Sequence, residues 1–226
     1  MPTQPPSPAL PWTEGGSGKV ERTMAARQSR GEETARRILD AALALYAQEG
    51  QAGFTVHAIT AKSGASLGSV YHHFKSIDGL AAALYADCMD RLLERLVRAL
   101  EAARSPRAGV MAFTRAYLAF AETDADAARF IHGAPYGGFL ASHAAHIAAA
   151  KRPHMDRILG WVRNHADNGA LAAVPEPLFE MLVVGPVAEV TRRVLTGAPG
   201  IDLTEAARVL PERIWQSVRP STGTGA

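Results

Sequence analysis

The sequence predicts an all-α protein, with an N-terminal three-helix helix-turn-helix domain followed by a larger helical domain. Three observations carry this. Apolar residues recur at helical spacing from Ala35 nearly to the end of the chain. Strand-type alternation is rare. The breaks between periodic stretches carry Gly, Pro and Asn in the positions where helices stop.

Taken in order, residues 1–28 read as a disordered basic arm, because Pro2, Pro5, Pro6, Pro8 and Pro11 do not propagate a helix. Ser29 and Glu32 form a candidate capping box, so order is expected to begin there. Ala35, Ile38, Leu39, Ala42, Leu45 and Tyr46 make the stripe of a first helix, ended by Gly50 and Gly53. Thr55 and Ser66 are suited to cap a second and a third short helix, and Gly64 turns the chain between them. Asp78 is placed as the cap of a longer helix from Gly79 past Leu100, stopping before Pro106. Further helices are expected over 110–122, 125–132, 139–166, 178–195 and 204–217. Gly185-Pro186 is expected to kink the helix over 178–195. This divides the chain into an arm (1–28), a helix-turn-helix domain (29–78), a larger helical domain (79–218) and a disordered tail (219–226).

Composition limits the function classes. The 226 residues are 47% hydrophobic and 20% charged, with a formal net charge of +2, so a sizeable core is affordable. The small net charge alone does not suggest nucleic acid, but the N-terminal stretch has a local basic excess: Lys19, Arg22, Arg27, Arg30, Arg36 and Arg37. Cys88 is the only cysteine, which excludes an intrachain disulfide and suits a reducing interior. The start of the chain lacks the apolar run of a signal peptide, and no later apolar stretch reaches bilayer length. A soluble, cytoplasmic protein is expected.

The second and third helices, joined by Ser63-Gly64-Ala65, have the helix-turn-helix pattern, in which the third helix enters the major groove. Placing Leu67, Val70 and Phe74 inward leaves Gly68, Ser69, His72 and His73 outward. Small residues at the helix start let backbone amides approach phosphates.

The segment from Phe54 to Ser76, FTVHAITAKSGASLGSVYHHFKS, resembles the DNA-binding signature of the TetR family of repressors. Ile38-Leu39-Asp40-Ala41-Ala42 is similar to that family's first helix, and Asp78-Gly79-Leu80 to the start of its long helix. Close resemblance covers about Arg36 to Leu80. It implies phosphate contacts for Thr55, Ser66, Tyr71 and Lys75. It implies base-edge or groove contacts for Leu67, Gly68, Ser69 and His72. His73 fits a DNA contact and an intradomain hydrogen bond equally. One position departs from the family: the lysine expected two residues after Lys75 is Ile77.

For the larger domain, the resemblance implies an effector pocket and a dimer built from the last two helices. The aromatic set Phe113, Tyr117, Phe130, Tyr136, Phe139 and Trp161, with His143 to orient a polar group, is the candidate site for a mostly apolar small molecule. Each of these residues alone also reads as core. The candidate dimer interface is Phe179, Leu182, Val183, Val187 and Val190, with Leu210 and Ile214 from the last helix.

The expected protein is therefore a homodimer that binds double-stranded palindromic DNA, with no cofactor, no catalysis and no membrane association. One alternative is a non-inducible or architectural DNA binder. Another comes from Gly64-Ala65-Ser66-Leu67-Gly68, which fits the Gly-x-Ser-x-Gly elbow of serine hydrolases but needs a strand before Ser66. His132, His143, His146, His154 and His165 lack a carboxylate or thiol at fixed local spacing, so no metal site is expected.

Overall fold

The computed structural model describes residues 17–133 and 138–220, with side chains from residue 28 onward. Among these residues every regular element is helical. The order is α1 (Ser17–Glu49), a short 3-10 turn (Gly50–Gly53), α2 (Val56–Ser63), α3 (Leu67–Phe74), α4 (Ile77–Glu101) and α5 (Pro106–Thr123). Then follow α6 (Ala125–Gly133), α7 (Phe139–Ser142), α8 (Ala144–Asp167), α9 (Glu176–Leu195) and α10 (Leu203–Val218).

The first helix begins at Ser17, twelve residues before the expected start of order. No proline follows Pro11 until Pro106, so nothing in the sequence stops the helix from extending backwards. Ser29 and Glu32 are therefore interior residues rather than a cap, and the Glu32 carboxylate accepts from the Gln28 side chain one turn earlier at 3.1 Å. Residues 1–16 and 221–226, which hold most of the expected arm and tail, lie outside the described residues.

At the start of α4 the cap is Ser76 rather than Asp78. The Ser76 Oγ accepts from the Gly79 N–H at 2.9 Å, and Asp78 sits in the first turn, where its charge meets the positive end of the helix. The helix expected over 139–166 is broken at His143. The Ser142 hydroxyl and the His143 Nδ1 both lie within hydrogen-bond distance of the Phe139 carbonyl, and this local bonding separates α7 from α8. The last two long helices run unbroken through Pro186 and Pro211.

One apolar core runs through both parts of the molecule, from Ile38, Ala42, Ile59 and Val70 in the head through Leu80 and Leu84 to Leu118 and Val187. Helix α4 belongs to both parts. Its first turns pack on α1 and α3, and its remaining length packs on α5, α6 and α8. Arg36 of α1 donates to Asp87 of α4 at 2.6 Å, and Arg91 of α4 reaches Asp124 at 2.9 Å. A displacement of α4 is thus felt directly by the head.

Candidate DNA-binding interface and effector cavity

The head is built by its caps. The Thr55 hydroxyl accepts from the Ala58 N–H at 3.2 Å and starts α2; Gly64, at φ +67°, ends it in the left-handed conformation that glycine adopts without strain. Ser66 starts α3: its Oγ accepts from the Ser69 N–H at 3.1 Å and lies 2.9 Å from the Ser69 hydroxyl. Helices therefore stand on both sides of Ser66, so the strand required by a hydrolase elbow is not there. Ser66→Ala should lower stability by about 1 kcal/mol through loss of the cap, read as a fall in melting temperature. Turnover of a simple ester by the parent, lost in that variant, would contradict the capping role.

Val70 fixes the buried face of α3, and Phe74 packs half-buried against the core. Gly68, Tyr71 and His72 are exposed. Leu67 is exposed as well, at 56%, contrary to the inward position expected from its apolar character. It occupies the first turn of α3, where α1, α2 and α4 do not reach over it. The half-buried His73 ring faces α1 at Gly31, so it is turned toward the domain interior.

Lys75 stands apart. It is the one non-glycine residue with positive φ (+67°) among the described residues, and it ends α3 with its Nζ donating to the His72 carbonyl at 2.9 Å. That backbone conformation is sparsely populated for an L-residue and costs on the order of 1 kcal/mol or more. A lysine stands here where glycine would be relaxed.

In the larger domain, α4, α5, α8 and α9 enclose a cavity of about 130 Å³. Of the candidate ligand residues, Phe113, Tyr117 and Trp161 line it. Phe130 and Phe139 do not. Phe130 stacks on Phe54 with centroids 5.8 Å apart and meets the edge of Tyr46 at 4.8 Å, so these rings form the seam between head and body. Phe139 lies on the other side of Phe130 at 6.4 Å. His143 is taken up by the break between α7 and α8, and Tyr136 lies outside the described residues. The sequence reading missed Leu92, Leu93, Leu96 and Leu100 of α4, together with Met155, Ile158 and Lys151 of α8. His132 borders Tyr117, with ring centroids 6.3 Å apart; burial, aided by the Arg192 charge, pushes its pKa down to about 4 and keeps it neutral. No group of three metal-ligating side chains converges among the described residues.

Four of the candidate interface residues are interior. Phe179 and Val183 line the cavity, while Val187 and Ile214 are buried in the protomer core. Val190 and Leu210 are half-buried, and Leu182 is exposed. The large exposed apolar side chains of the described residues fall in two places only. Leu67 and Tyr71 are on α3, whereas Leu178, Met181, Leu182 and Val209 are on α9 and α10.

Residues 38–84 match the family model of bacterial regulatory proteins, tetR family. Similar solved structures include a TetR family transcription regulator from Marinobacter aquaeolei VT8, with 18% identity and a TM-score of 0.70 over 85% of this chain and 99% of that one. The transcriptional regulator FadR from Bacillus subtilis, solved in complex with stearoyl-CoA, gives 16% identity and 0.66 over 79% and 96%. The fatty acid degradation regulator FadR from Bacillus halodurans gives 15% and 0.65 over 80% and 93%. No curated protein sequence matches the chain. No helix among the described residues is long and apolar enough to cross a membrane.

Proposed function

Residues 38–84 match the tetR family model, and from that premise we propose that the chain is a cytoplasmic, homodimeric transcriptional repressor of that family. It binds a palindromic operator through α3 and leaves it when a small, mostly apolar effector enters the cavity. The observation that carries the reading is the double membership of α4, which forms a wall of the cavity and joins α3 directly to it. An effector that favours one position of α4 shifts the heads, and a coupling of about 1–3 kcal/mol is enough to alter occupancy. The stearoyl-CoA bound by the Bacillus subtilis FadR supports an effector with a large apolar part.

On this reading Leu67, Gly68, Ser69 and His72 approach the base edges. Thr55, Ser66, Tyr71 and Lys75 hold phosphates, and the exposed apolar residues of α9 and α10 join two protomers. A phosphate contact positions the protein without reading sequence. Lys75→Gly relaxes the positive φ while adding backbone entropy, so stability should change by less than about 1 kcal/mol. Binding to every duplex should weaken alike, and the slope of log K against log salt for the dimer should become shallower by about 1.8, about 0.9 for each of the two heads. Fluorescence anisotropy on several duplexes across a salt series checks this. A changed base preference with unchanged general affinity would overturn the phosphate assignment.

A further inference from the structure

We propose that the cavity takes an unbranched aliphatic chain ending in a single negative charge, a free medium-chain carboxylate, with Lys151 receiving the charged end. This names the effector class of the proposed regulator and rests on that reading.

The first support is shape. The α4 wall runs from Met89 to Leu100, about 16 Å of helix at ~1.5 Å per residue. A volume of about 130 Å³ spread over that length is a narrow slot. A globular apolar cavity of similar volume, ~150 Å³, accommodates a benzene ring. Stretched along twelve residues of a helix, the same space suits a linear chain better than fused rings. Apart from Lys151, Glu176 and Glu180 its lining is aliphatic and aromatic, including Leu92, Leu96, Phe113, Met155 and Ile158.

The second support is the placement of charge. Lys151 is the only cation among the lining residues, and no ion pair to a described residue engages it. It lies at one end of the slot. His154, one turn further along α8, contacts Asp90 of α4 at 2.8 Å, and Arg157 contacts Glu101 at 2.6 Å, so α8 runs alongside α4 in the same direction. Lys151 is therefore level with Met89. Of the two acidic lining residues, both on α9, Glu176 is tied to Arg163 at 3.3 Å, near the end marked by Trp161 and Val162, and Glu180 follows one turn further along the helix. The half-buried ammonium at one end favours a carboxylate there. One cation against two carboxylates disfavours the several negative charges of a nucleotide-linked thioester.

The third support is access. Among the helices that enclose the slot, α4 packs on α5 and α8, and α5 packs on α9, whereas α8 and α9 scarcely touch. Lys151, Glu176 and Glu180 border that open side.

The test is calorimetric titration of the full-length DNA-free protein with four probes of equal chain length: decanoate, 1-decanol, decylamine and decanoyl-CoA. Decanoate should saturate one site per protomer and bind more tightly than the other three. Lys151→Gln should weaken decanoate about tenfold and leave 1-decanol unchanged. Lys151 is at the mouth, so this change spares the core. Absence of decanoate binding, tighter binding of decylamine or decanoyl-CoA, or equal weakening of decanoate and decanol by Lys151→Gln would each overturn the proposal. The measurement needs no DNA. Saturable decanoate binding that fails to release a footprinted operator would support the slot assignment and count against effector-driven release alone.

Discussion

Replacing Met181 and Leu182 together by glutamate is expected to split the protein into folded monomers and abolish tight operator binding. Met181 is 68% exposed, and with Leu178 and Leu182 on α9 and Val209 on α10 it forms an apolar surface that no described residue covers. Leu178, Met181 and Leu182 follow one another at helical spacing on α9, which packs on α10. Full burial of such a side chain is worth about 1.5–3 kcal/mol, and a two-fold axis counts each contribution twice. Two glutamates per protomer at that face would bury four unpaired charges on association, a larger penalty still. The protomer should stay folded, since Met181 is 68% and Leu182 37% exposed and neither belongs to the buried core. A monomer engages one half-site rather than two, so operator affinity should fall by about a hundredfold or more. Sedimentation at micromolar concentration and anisotropy on the operator read the two effects. A variant that remains dimeric would place the interface elsewhere.

Gly79→Ala should give the largest loss of stability of any single methyl addition in the head. A Cβ at this position would collide with the backbone carbonyl of Phe74 and crowd the capping Ser76 hydroxyl at 3.3 Å. Neither is the loose end of a flexible side chain, so the turn between α3 and α4 has to open. Overpacking of this kind costs about 3 kcal/mol, or roughly 6–12 °C in melting temperature for a chain of this size. Because the same turn sets the angle of α3, DNA binding should be lost even below the melting point. Gly68→Ala is the contrast. Its Cβ meets only the Ser66 hydroxyl, at 3.8 Å, so the variant should melt like the parent while binding DNA less well. Equal melting of the two variants would remove the packing argument for Gly79.

The head was legible because its architecture is written in caps and turns. Thr55, Gly64 and Ser66 each have a local physical role that residue type alone reveals, and the structure places each in that role. For Leu67 only the periodicity misleads, because it assigns an apolar residue to the core, whereas this side chain in the first turn of α3 is 56% exposed. The beginning of α1 was misread because a capping-box pattern in the middle of a helix looks the same as one at its start. In the larger domain, Leu92, Leu96 and Leu100 have the spacing of an ordinary core stripe, and empty space leaves no mark on such a stripe. Helix α9 is apolar on nearly every side, from Leu178 and Phe179 to Leu182 and Val183. Its inward face could not be told from its outward one until α5 and α10 were in place against it. Phe130 and Phe139 have the chemistry of pocket residues, yet Phe130 packs on Phe54 and Tyr46 of the head and Phe139 packs behind it on Phe130 and Tyr85.

The most direct test of the central claim is to select duplexes from a random pool with the full-length protein and footprint the enriched sequence. The account predicts an inverted repeat with both halves protected, steep salt dependence, and altered base preference when Leu67 or His72 is replaced. A pool that shows no enrichment, or a selected site whose sequence preference is indifferent to replacement of Leu67 and His72, would contradict it.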